Sequence, residues 1–82
     1  MDTNDAMRAM VGRAGLSLRG ASLALGKSPA WLANTLARPG SSEAVTVAAV
    51  ADLAGYALCA VPRGSVPPGA IVIDPPPGKN GV

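Results

Sequence analysis

The chain has no histidine and no phenylalanine, and only one cysteine, Cys59. Without histidine there is no imidazole for a metal site or for a Ser-His-Asp triad. A lone cysteine cannot form an internal disulfide, and without a histidine partner it is a poor nucleophile. Trp31 and Tyr56 are the only aromatics, so any core must be built from small aliphatic side chains. No apolar run reaches the roughly 18 residues that a membrane span requires. The first residues, Met-Asp-Thr-Asn-Asp, are acidic and polar and do not read as a signal peptide. The five acids do not cluster at a spacing that would hold a metal or form an acid–base pair. The expectation is a non-enzymatic chain with no cofactor, no metal and no membrane partner. A single reduced thiol fits the cytoplasm.

Acidic residues are missing from one long stretch. Between Ala6 and Ser42 the chain carries Arg8, Arg13, Arg19, Lys27 and Arg38 and no acid, a formal +5. The remainder holds Asp2, Asp5, Glu43, Asp52 and Asp74 against Arg63 and Lys79, a formal −3. The net +2 therefore hides a polarised molecule. A basic half of this kind is the electrostatic footprint of a nucleic-acid binder, although a solvated basic face on a helical domain produces the same pattern.

Eighty-two residues allow one domain. A chain of this size buries only about 60–65% of its unfolded surface, so its core is small. Residues 1–55 read as helices. Thr3 or Asn4 can cap the first, and Met7, Met10, Val11 and Ala14 form a stripe at helical spacing, closed by Gly15. Ser17 caps a second helix with Leu18, Ala21 and Leu25 on its inner side, and Gly26 stops it. Gly20 and Ser22 weaken that helix intrinsically. Ser28-Pro29 is a start signal, predicting a third helix over Pro29–Ala37 with Leu32 and Leu36 one turn apart. After the Arg38–Ser42 loop, Ser41 or Ser42 caps a fourth helix, roughly Glu43–Ala54, with Val47, Val50, Ala51 and Ala54 inward. Two helices joined by a glycine turn have the layout of a helix-turn-helix.

The character changes at Tyr56. Residues 56–61 and 70–73 are short, apolar and partly β-prone, and predict a C-terminal strand pair within a segment 56–74. The Pro- and Gly-rich residues 75–82 read as a flexible tail.

LSLRGASLALGKSPAWLANTLAR followed by VTVAAVADLAGYALCAV resembles the helix-turn-helix domains of Cro/C1-type (XRE) transcriptional regulators, especially short phage- and prophage-associated members. The likeness spans about residues 4–61 and rests on Leu25, Gly26, Ser28 and Leu32 at the turn, and on Gly55, Tyr56 and Leu58 after the last helix. It departs from the family at four places. Leu18 and Arg19 stand where an amide is usual, Ser22 where alanine is, Lys27 where an apolar residue is, and Thr35 where a branched aliphatic is. The resemblance implies a mainly α fold of four to five helices and a sequence-specific DNA-binding regulator, a repressor encoded by a mobile element and acting as a homodimer on double-stranded DNA.

With Leu32 and Leu36 inward, the outer face of the third helix carries Ala30, Trp31, Asn34 and Arg38. Asparagine pairs bidentately with adenine in the major groove. Arg38 suits phosphate or a guanine edge, and Ala30 a thymine methyl. Lys27, the Ser28 hydroxyl and the first N–H groups of the helix suit phosphate, and Arg19 the backbone from helix two. Trp31 has two readings, core packing between helices two and three or an indole lying on DNA. For dimerisation the candidates are Tyr56, Leu58, Ala60, Ile71 and Ile73, because a strand apolar on both faces must be covered on both. A hairpin folded onto helix four of the same chain is the competing arrangement. A different class of function also fits: a protein-interaction module, antitoxin-like or a phage-encoded inhibitor, that adds its C-terminal strands to a protein partner.

Overall fold

The side chain of Asp2 opens the first helix. Its carboxylate accepts the backbone N–H of Asp5 at 2.8 Å, and α1 runs Thr3–Arg13. The cap thus falls just before the expected Thr3 or Asn4, because both of those side chains are engaged elsewhere. Thr3 Oγ1 accepts the Ser42 N–H at 3.0 Å, and Asn4 is buried. A computed structural model describes residues 1–75, with α2 at Leu18–Ala24, α3 at Trp31–Ala37, α4 at Ala44–Leu53 and one 3-10 turn at Arg63–Ser65. The fold is mainly helical.

Ser17 caps α2 as expected, accepting the Gly20 N–H at 2.9 Å. Gly20 makes room for that cap, since a Cβ there would come within 3.0 Å of the Ser17 hydroxyl. At the other end Gly26 takes φ +74, a left-handed conformation costly for any residue with a Cβ. The Gly26 N–H donates to Leu23 and the Lys27 N–H to Ser22, the paired bonds that close a helix with a left-handed glycine. The same two bonds recur at the ends of α1 and α4, around Gly15 and Gly55.

α3 is shorter than Pro29–Ala37. Ser28 does not cap it; Ala30 stands at the N-cap position with no side-chain bond. Residues 28–30 instead form a turn in which the Ser28 carbonyl accepts the Trp31 N–H at 3.0 Å. Likewise α4 has Glu43 at its N-cap with no side-chain bond, rather than Ser41 or Ser42. Ser42 is diverted to α1, as both its N–H and its hydroxyl bond there.

α1 packs on α4, α2 on α3, and α2 also touches α4. Met7, Met10, Val11, Ala21, Leu32, Leu36, Val47, Val50 and Ala51 make the buried core. All but Met7, Met10, Leu32 and Leu36 are alanine or valine, so the helices meet at close range. Ala14, expected on the inner stripe, is exposed.

The strand pair expected in 56–74 is absent among the described residues. No backbone hydrogen bond joins 56–61 to 70–73. Pro62, Pro67 and Pro68 interrupt the connection and cannot donate to a ladder, while Tyr56, Ile71 and Ile73 pack sideways onto the helical core. What is tied is the end of this segment. The Asp74 N–H donates to the Met1 carbonyl at 2.8 Å, and the Met1 ammonium pairs with the Asp74 carboxylate. The hydrogen bond from the amine to the Asp74 carboxylate holds the amine above its ordinary pKa. Most of the tail read over 75–82 lies outside the described residues. No helix among the described residues is long and apolar enough to cross a membrane.

Candidate nucleic-acid interface

At about 1.5 Å per residue, the seven residues of α3 span roughly 10 Å. Leu32 and Leu36 are buried and fix the inner edge. Ala30, Ala33, Asn34, Ala37 and Arg38 are exposed on the outer side. Lys27 and Ser28 are exposed in the turn before α3, and Arg19 is exposed on α2. The residues singled out from the sequence are thus at the surface, on α3 or on the segments flanking it.

Trp31 is placed at the edge of the core. It is half-buried and packs against the core, yet the Lys27 ammonium stands 5.5 Å from its ring centre. Its flank also borders a surface hollow of about 430 Å³, which continues along Thr35, Arg38, the Pro39–Glu43 loop and Thr46. No acidic side chain occurs between Ala6 and Ser42. Asp5, just before this stretch, lies 4.0 Å from the Arg8 guanidinium, and Glu43 lies just beyond it. The outer side of α3 and the turn before it offer cations and one amide, which are groups that bind anions and base edges, while Glu43 places a carboxylate among the residues that line the hollow.

Seven residues form a helix too short to persist alone. Both ends of α3 are held by side chains from other helices. On the α2 side, Ser22 is fully buried; its hydroxyl donates to the Leu18 carbonyl at 2.7 Å and accepts the Leu32 N–H at 2.9 Å. On the α1 side, the Asn4 amide donates to the carbonyls of Leu36 at 3.4 Å and Arg38 at 3.3 Å, and its oxygen accepts the Ser42 hydroxyl at 3.4 Å. Arg8 adds a bond from its guanidinium to the Leu36 carbonyl at 3.2 Å. The amide orientation of Asn4 follows from its neighbours, because two carbonyls require the NH₂ side. By sequence alone Asn4 is one of two cap candidates beside Thr3, and Ser22 is a residue that weakens its helix. For Ser22 a signal existed: it lies four residues after Leu18 and three before Leu25, on the inner edge of α2.

No family model matches this chain, and neither do any curated protein or solved structure. The geometry therefore carries the functional argument by itself. Among the described residues no group of three or more His, Cys, Asp or Glu side chains is placed to hold a metal.

The five residues proposed for dimerisation are not equivalent. Tyr56, Ile71 and Ile73 are half-buried against their own core, whereas Leu58 and Ala60 are exposed. Together with the chain around them they wall an apolar groove of about 620 Å³, floored by Ala6, Met10 and Ala51. Leu58, Val61, Val66 and Val72 remain exposed in this region.

Proposed function

We propose that the chain is a DNA-binding regulator of the Cro/C1 helix-turn-helix type, a repressor acting in the cytoplasm as a homodimer, with α3 as the element that enters the major groove. The observation that carries this reading is the exposed set Arg19, Lys27, Asn34 and Arg38 on and around a helix that follows a glycine turn, inside a stretch without a single acid. Arg19, Lys27 and Arg38 would neutralise phosphates, and Asn34 would read a base edge. The small side chains Ala30 and Ala33 let the helix approach base pairs closely. A two-fold dimer would set two such helices about 34 Å apart, on successive major grooves. Selection of bound sequences from random duplex DNA with the purified chain tests this. Recovery of a palindromic site supports it, and failure to retain any duplex at low salt overturns it.

The apolar groove along residues 56–73 favours a second reading. Among the described residues, the backbone at 56–61 makes no hydrogen bond apart from that of the Tyr56 N–H, which closes α4. Such a segment can receive a strand from a protein partner, as in an antitoxin-like or phage-encoded inhibitor module. A gel shift at low salt separates the two readings: a chain that leaves duplex DNA unshifted belongs to the second.

A further inference from the structure

We infer that Asn4 and Ser22 are positioning residues for the outer face of α3, so that α1 takes part in DNA reading without touching DNA. This inference rests on the DNA-binding reading above for its functional half only. The structural half stands on hydrogen bonds. α3 has no side-chain cap at its N-terminus and no glycine stop at its C-terminus. Where α1, α2 and α4 end on their own left-handed glycines, α3 ends in extended backbone at Arg38, followed by Pro39. Its last carbonyls would be left without partners in a part-buried place. Asn4 supplies the donors to Leu36 and Arg38, and Arg8 a further one to Leu36. At the opposite end the Leu32 N–H is taken by Ser22.

The consequence follows from leverage. Asn34 and Arg38 sit on the outer side of a helix only two turns long. A base contact requires placement within a few tenths of an ångström, because hydrogen bonds weaken steeply with distance and angle. Phosphate contacts by long flexible cations tolerate more. Loosening either end of α3 should therefore blur base reading before it weakens attraction to the phosphate backbone. Asn4 is also joined to Ser42, so the chain entering α4 and the end of α3 are set by the same side chain.

The test uses the full chain carrying Asn4→Ala or Ser22→Ala, with two readouts. Amide hydrogen exchange is followed residue by residue, and preference for the selected site over random duplex is measured at several salt concentrations. The expected result is that α3 amides exchange about tenfold faster while core amides of α1 and α4 keep their protection. Site preference should fall by about tenfold, with the slope of log affinity against log salt unchanged, because no cation has been removed. Equal acceleration of exchange in all helices, or unchanged exchange in α3, overturns the inference, since a general contribution to stability would not single out one helix. A fall in salt slope overturns it too. Should Asn4→Ala fail to fold, Ser22→Ala carries the same comparison, because it removes only a hydroxyl from a site that alanine fits. If the unsubstituted chain binds no duplex, the DNA reading fails by itself, and the exchange pattern still decides whether the two residues hold α3.

Discussion

The ammonium of Lys27 stands over the indole of Trp31, 5.5 Å from the ring centre. This pair links the turn before α3 to the first residue of α3. Trp31 is the only tryptophan, so its emission reports on this corner of the molecule alone. Lys27→Met should lower stability by about 0.5–1 kcal/mol, as expected for an exposed cation–π contact, and should alter tryptophan emission in the free protein. Adding duplex DNA should alter it as well. Urea unfolding followed by fluorescence measures the first effect, and a titration at constant salt the second. Emission unchanged by saturating DNA would place the DNA elsewhere.

Arg19, Lys27 and Arg38 should each behave as phosphate contacts. Replacing any one with alanine should weaken binding to all sequences alike and reduce the log–log salt slope by about one. Arg38→Ala is the sharpest case, because Arg38 also borders the hollow beside Trp31. An unchanged slope for that variant would remove Arg38 from the interface.

Asn34 should act differently. Asn34→Ala is expected to cost about 1–3 kcal/mol on the selected site and almost nothing on random duplex. Equal losses on both would make Asn34 a positioning contact to the backbone.

Gly26→Ala should destabilise the chain by about 1–2 kcal/mol, the cost of a left-handed conformation for an L-residue. No heavy atom lies within 4 Å of the Cβ that would be added, so the cost is conformational and no repacking should accompany it. Chemical denaturation should show a lower midpoint with an unchanged m-value. A near-neutral result would mean that the turn has rearranged.

Leu58→Lys should abolish self-association and leave monomer stability within about 0.5 kcal/mol, because Leu58 is 44% exposed in the single chain. Ile71→Ala should instead lower monomer stability, since Ile71 packs against the helical core. Sedimentation of both variants at tens of micromolar, about the range in which weak dimers are seen, checks the first. A wild-type chain that is monomeric there, or a truncation after Gly55 that still dimerises, would exclude the C-terminal segment as the dimer contact.

The helices were legible in the sequence wherever the signal was local. Met7, Met10 and Val11 mark the inner face of α1 by spacing alone, and Ser17 and Gly26 mark both ends of α2. Signals that depend on distant partners were not legible. Ser28-Pro29 carries a strong start signal, yet α3 begins at Trp31, because the Leu32 N–H is drawn to Ser22 on a neighbouring helix. The sequence offers Thr3 or Asn4, and Ser41 or Ser42, as caps for their own helices, whereas Thr3 and Ser42 bond to each other across the fold. Ile71 and Ile73 have strong β preference, but a strand exists only when a ladder partner does, and here a helical surface receives these side chains instead. For the candidate site, the exposure of Asn34 and Arg38 followed from the spacing of Leu32 and Leu36. The residues that hold that face in place did not, since their hydrogen bonds join residues up to 38 positions apart.

The bracing of α3 from both ends bears on how such a chain can change over generations. None of the outer side chains Ala30, Ala33, Asn34 and Arg38 takes part in the bonds from Ser22, Asn4 and Arg8. The holder and the held surface are separate sets of residues. Substitutions on the outer face leave the holder intact, whereas a change at Asn4, Arg8 or Ser22 acts on the placement of the whole face at once.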